Sequence, residues 1–355
     1  MSLLVNLTNC ATAQVVSLGA DGRWQVTVLA KATFTWNQLG VVSEARPAPI
    51  TLADEFAGDS VFAGLLRARD LAPAKPRLDV LLAGTVAFPR PIAETEIELA
   101  VGSRLRKRAR VFGDRIWLPG LAADRVPSRP RPVRRVPIAW ERSYGGVDPH
   151  NPKWIEPGNP AGSGVAKKPK SLHGRPAPNF EDPDRPIRAL FRKPVSIGFG
   201  PIAAHWQPRM RLAGTYDEAW QKLRKPLPPE DFSPDFFNVA PADQQLDGYL
   251  PGEEVRLRNL TVTGEDRFCL PRFAVPVAIA SSAELAEGMA AVDTLTIEPE
   301  ERRFSLLAKA QADLADGPES LGRIVVGEMT RGMRSALETG KRYPWSRHRR
   351  EESHG

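Results

Sequence analysis

The chain is poor in the residues that most often carry chemistry. Its 355 residues include only two cysteines, Cys10 and Cys269, and five histidines. The cysteines form no CxxC or metal spacing, so neither a zinc site nor a disulfide framework is expected. No histidine lies in HExxH: His150, His173 and His205 are scattered, and His348 and His354 sit at the end of the chain. GxSxG, GxxxxGK[ST] and GxGxxG are all missing, and Gly198-Phe199-Gly200 lacks the third glycine. No catalytic constellation is therefore named, and no cofactor or metal is expected. No apolar run reaches the ~18 residues of a membrane span. The opening Met1–Thr8 lacks a basic n-region and a small-residue cleavage site. A cytoplasmic chain without membrane contact is the expectation.

Proline and positive charge are abundant instead. Proline supplies 34 of 355 residues, nearly twice the ~5% of an average chain. Having no N–H, it stays out of helix interiors and central strands, so this content predicts extensive ordered loop. Half of it, 17 residues, falls between Pro119 and Pro208. Trp140, Tyr144, Trp154, Phe180, Phe191, Phe199 and Trp206 are interspersed there, which predicts loops wrapped onto the sheets, with Gly162–Ser171 the most mobile part. The net charge of +7 favours acidic partners. Hydrophobic residues at 42% and charged residues at 26% are those of a folded chain.

Period-2 patterning dominates. From Trp24 to Trp36 the even positions are apolar and the odd ones mostly polar, which predicts one long strand with one buried face. Further strands are predicted over 78–88, 95–101, 104–111, 116–118, 209–215, 254–262, 268–277, 292–297, 304–308 and 323–326. Short helices are predicted over 60–69, 217–223, 282–289, 310–314 and 330–337. The fold class that follows is mainly β: two packed, mostly antiparallel sheets, sandwich-like, with a long Pro-rich loop insertion and a few short helices. Residues 1–310 read as one domain containing the 119–208 loop region, 311–340 as a strand/helix extension, and 341–355 as a frayed charged tail.

Two features suit binding. Arg104, Arg106, Arg108 and Arg110 fall on one face of a strand, with Leu105, Lys107, Ala109 and Val111 on the other. From Arg104 to Arg135 there are 11 Arg and Lys against Asp114 and Asp124. Such a surface can meet an acidic protein, meet phosphates, or merely be solvated. No stacking aromatics lie between the arginines and no RNA- or DNA-binding motif is present, so nucleic acid is the weaker reading. The second feature is Trp140, Arg142 and Tyr144, alternating with Glu141 and Ser143 as on a strand. With Trp154, Trp206 and Arg209 these are the residue types most often found as binding anchors, and equally the types that fill cores. A hydrolase-like enzyme remains as an alternative, requiring Glu141, Arg142, Asp148, His150 and Asn151 to converge in one pocket.

The run of short motifs, in order, resembles the bacterial family called domain of unknown function 2169. The matching pieces include Lys75-Pro76…Asp79-Val80, Gly113-Asp114-Arg115…Trp117, Glu141-Arg142…Tyr144-Gly145-Gly146, Asn151-Pro152 and Asn159-Pro160…Gly162…Gly164. They continue with Pro178-Asn179, Gly198-Phe199-Gly200-Pro201…Trp206…Arg209, Gly214-Thr215-Tyr216-Asp217…Trp220, Phe236-Phe237-Asn238 and Asp243-Gln244-Gln245. The resemblance covers most of residues 1–300. One departure is Leu307-Ala308-Lys309, where the family commonly has a Trp-Arg pair. The resemblance implies a type VI secretion accessory protein: a non-enzymatic adaptor or chaperone that binds a toxic effector and loads it onto VgrG or PAAR spike proteins. It brings no catalytic residues with it. The expected partner surface is the 119–208 loop region together with the arginine strand.

Overall fold

The computed structural model describes residues 3–120, 125–148, 150–187, 194–341 and 343–345. The larger of its sheets has ten strands. Its spine runs Leu3–Asn6, Leu321–Val326, Val275–Ser281, Leu285–Glu298, Arg303–Leu314, Trp24–Trp36 and Ala11–Leu18, each hydrogen-bonded to the next. The spine curls into a nearly closed barrel around Val26, Val28, Ala30, Val277, Ile279, Ala308 and Ile324. Leu78–Leu82 runs parallel to Thr294–Ile297, off the spine. The helix Arg331–Thr339, capped by Thr330, lays Met333 and Ala336 on the outer surface at Val5, Ala278 and Val325.

A second, five-stranded sheet runs Phe180–Glu181, Leu105–Phe112, Glu94–Val101, Glu254–Arg258 and Glu265–Cys269, all antiparallel. Its inner residues, among them Ile97, Leu99, Ala109, Val111 and Leu257, share the largest core with Phe34, Val80, Leu295 and Phe304 of the first sheet. Trp36, Phe268 and Phe304 stack at the contact, with ring centroids 4.5 and 4.9 Å apart. Two sheets face to face across an apolar layer is the sandwich that the alternating patterns imply.

Several local expectations are corrected. The strand Trp24–Trp36 is present at its predicted bounds, but Thr27 and Leu29 are buried as well as their even-numbered neighbours. A strand paired on both edges and covered on both faces does not need polar residues to mark an outside. The stretch 78–88 is two strands, Leu78–Leu82 and Thr85–Ile92, broken at Gly84 with φ +84° and paired to different partners. Residues 282–289 and 310–314 are not helices; they are the ends of Leu285–Glu298 and Arg303–Leu314. Their alanines carry helix propensity, but pairing along the whole strand overrides it. Residues 60–69 form no helix either: Glu55–Phe56 and Leu65–Arg67 pair as a short hairpin. Residues 209–215 open with a helical turn, Arg209–Leu212, in place of a strand. The division at 310 falls inside Arg303–Leu314, and Leu321–Val326 sits within the spine, so the extension is part of the main sheet. The 341–355 tail lies outside the described residues apart from 341 and 343–345, and so does Phe191.

Candidate binding surface

The arginine strand has the parity read from the sequence. Leu105, Lys107, Ala109 and Val111 point inward, and the arginines point out. The strand Glu94–Val101 turns back into it at Gly102-Ser103, and the register places a glutamate diagonally opposite Arg106, Arg108 and Arg110. Arg106 bonds Glu98 at 2.8 Å, Arg108 lies 3.6 Å from Glu96, and Arg110 pairs with Glu94. Arg104 pairs with Glu253. The row of four guanidinium groups is thus a ladder of ion pairs, not an unopposed positive face. Glu98 is the deepest rung, also accepting from Arg256 at 2.7 Å. Burial alone would raise its carboxyl, but the Arg106 hydrogen bond and the charges of Arg106 and Arg256 outweigh it and hold it below the usual glutamate range. A carboxyl lowered in the folded state contributes stability above its unfolded pKa and loses it as pH falls through the folded one. The stability gap between wild type and Glu98→Gln is therefore expected at neutral pH and to close below about pH 4. Urea unfolding at a series of pH values reads it; a gap independent of pH would contradict the pairing.

The other proposed anchors are mostly interior. Trp140, Tyr144, Trp206 and Arg209 are all buried. Ile138–Tyr144 is not a strand, because Trp140–Arg142 forms a 3-10 turn. Trp140 donates to Pro201 O at 2.8 Å and meets Trp206 edge to face at 6.1 Å. The main chain at Gly198 passes close against the Trp140 ring, where an added Cβ would come within 2.6 Å. Asn159 donates to Trp140 O and Tyr144 O, and Gly145 and Gly146, both at positive φ, pass so close to Asn159 O and Gly162 O that no side chain fits. Arg209 spans Ile202 O and Phe236 O, and burial pushes its guanidinium down to about 10. Arg142 is half-buried near Asn179 and Asp114. Trp154 alone of the proposed aromatic anchors is exposed.

The residues required for a hydrolase pocket likewise serve local structure. Asp148 accepts from the backbone N–H groups of His150, Asn151 and Lys167, which lower its carboxyl, and Asn151 accepts from Lys153 N. Glu141 accepts from Gly64 N at 2.7 Å. Among the described residues no group of His, Cys, Asp and Glu is placed to hold a metal ion.

Sequence reasoning missed two buried lysines, Lys75 and Lys309. Lys75 bonds Asp79 and Thr294, each at 2.8 Å, and Asp79 also accepts from Asn238 Nδ2 and Val239 N. Burial would lower Lys75, but Asp79 and Asp293 outweigh it and leave the ammonium above its ordinary value. Lys309 pairs with Asp293 at 3.1 Å, and burial pushes it down despite that partner. These groups floor a cleft of about 70 Å³ under residues 48–75, which cross the face of the large sheet. The enclosed space suits a few waters. Lys107, lowered by burial, ties Gly198 O, Asp243 and Gln244 to the second sheet. Strand parity had already placed Lys107 inward, whereas for Lys75 and Lys309 the one sequence signal was the Lys75…Asp79 spacing within the family motif.

Exposed large apolar side chains are spread over the surface, and three of them lie together on a feature read as a helix. The hairpin of Glu55–Phe56 and Leu65–Arg67 stands on the loop module and leaves Phe56, Val61 and Leu66 at 39, 74 and 41% exposure. It is held from three sides. Glu141 takes Gly64 N from below, His205 Nε2 donates to Val61 O at 3.0 Å, and Ala57 N bonds Gly64 O across the hairpin. Between Phe56, Val61 and His205 lies an open depression of about 680 Å³. Apolar groups on a pre-ordered loop lose little entropy on contact, which is what a binding site needs.

Among the described residues no helix is long and apolar enough to cross a membrane. No curated protein and no solved structure matches the chain. A family model described as an uncharacterized protein conserved in bacteria matches residues 21–309, nearly the whole span over which the motifs were recognised. The chain belongs to the domain of unknown function 2169 family.

Proposed function

We propose that this protein is a non-catalytic adaptor of the type VI secretion system, which captures a toxic effector and presents it to the VgrG or PAAR spike. The single observation carrying the binding half of this reading is the pinned hairpin: Val61 is 74% exposed while its own backbone is fixed by His205. The secretion context comes from the family resemblance. The reading departs from the expected surface in one respect, because the contact moves from the arginine strand, whose charges are paired, to the hairpin seated on the loop region. The protein works in the cytoplasm on this account, before the loaded spike leaves.

Co-expression with an effector encoded beside the gene, followed by affinity capture, tests it. Val61→Glu should reduce the captured effector roughly tenfold or more, as for a hot-spot residue. Met289→Glu, at an exposed site on a distant strand, should leave capture unchanged. Equal capture by wild type and the Phe56→Glu/Val61→Glu double variant would remove the hairpin as the contact.

A further inference from the structure

The depression on the hairpin has a chemistry of its own. Its floor carries the Phe56 and His205 rings, in tilted contact with centroids 6.2 Å apart and planes inclined at 41°, so that a flat group lies on the exposed face of Phe56 and not between the two rings. Val61 forms the apolar rim and Asp59 supplies the only carboxylate of the lining. The chain carries +7 overall, yet residues 51–66 hold Asp54, Glu55 and Asp59 and no Lys, Arg or His. Two of those charges are committed: Asp54 accepts from Arg69 N, and Glu55 lies 3.9 Å from Arg67. Asp59 has no partner among the described residues.

We infer that this depression takes an arginine side chain of the partner protein, stacked on Phe56 with its guanidinium forked onto Asp59. The inference rests on the hairpin being the contact surface and adds what it recognises. An aliphatic side chain would cover the Phe56 ring but would strip water from Asp59 and give nothing back. An acidic one would face a like charge. A lysine would satisfy the carboxylate but lacks the planar face that lies on an aromatic ring. The His205 ring is already oriented by its bond to Val61 O, so the aromatic floor is set before anything binds on it. Gly58, at the hairpin tip, has nothing within 4 Å of the position its Cβ would take, which leaves the entrance open.

The probes are three blocked peptides, acetyl-Leu-Arg-Leu-amide and its Ala- and Glu-centred counterparts, titrated into the full chain carrying labelled valine and alanine methyl groups. The arginine peptide is expected to shift the Val61 and Ala57 methyls and to bind about fivefold or more tighter than the alanine peptide. The glutamate peptide should bind weakest. Asp59→Asn should erase the preference for arginine over alanine while leaving the methyl spectrum of the free protein otherwise intact. Equal binding of all three peptides, or no shift at Val61, overturns the inference. Effector capture that still depends on Val61 would then preserve the adaptor reading, whereas a peptide preference without effector capture would preserve the pocket and remove the adaptor.

Discussion

Replacing Asp79 by asparagine should cost about 3–5 kcal/mol of stability, the range for breaking a buried ion pair. Asp79 is fully buried and receives three donors: the Lys75 ammonium, Asn238 Nδ2 and Val239 N. Asparagine keeps the shape, but it turns one acceptor into a donor facing donors and leaves Lys75 without its nearest counter-charge. Asp293 is the next carboxylate available, and it is already shared between Lys75 N and Lys309. In a chain of this size the loss corresponds to a fall of roughly 4–7 °C in Tm. Lys75→Met in the Asp79→Asn background should cost less than it does alone, because the charge it removes is already unpaired. A Tm for Asp79→Asn within 2 °C of wild type would show that the network is not what holds residues 48–75 against the sheet. That matters for function, since the hairpin belongs to this same crossing segment.

The sequence and the structure agree best where a pattern has only one physical solution. Thirteen residues alternating from Trp24 to Trp36 can be little else than a long strand, and the parity of the arginine strand follows from the same rule. The ion-pair ladder was legible too. Glu94, Glu96 and Glu98 alternate on the strand before the Gly102-Ser103 turn, so folding the hairpin back necessarily brings them to the arginines. Counting charge along the chain, without folding it, conceals that. The buried lysines were not legible, because lysine is rarely found fully buried and nothing local distinguishes Lys75 or Lys309 from a surface lysine. The hairpin at 55–67 was hidden by apolar spacing that fits a helix; its fold depends on Glu141, far along the chain, taking Gly64 N. Most of the family motifs that carried the recognition prove to be joints. Gln244 donates to Val80 O and Phe199 O, Asn179 to Phe112 O, and Asn159 to two carbonyls of the Trp140–Tyr144 turn.

Tryptophan and arginine make good anchors and good core residues for the same reason, a large area with a polar handle, so residue type could not decide between the two roles for Trp206. Its 1% exposure does. Trp206→Ala should cost about 3–5 kcal/mol, the range for an aromatic removed from a packed interior. Trp206 lies edge-on to both Trp140 and His205, so the damage should spread to the hairpin that His205 holds. Effector capture should therefore fall in parallel with Tm for Trp206→Ala, and should recover in part on cooling. Val61→Glu should behave oppositely, with capture lost and Tm within about 2 °C of wild type, since the side chain packs against nothing that a surface substitution would disturb. Trp206→Ala with unchanged Tm and lost capture would reverse the assignment, making the indole a contact and the hairpin its bystander.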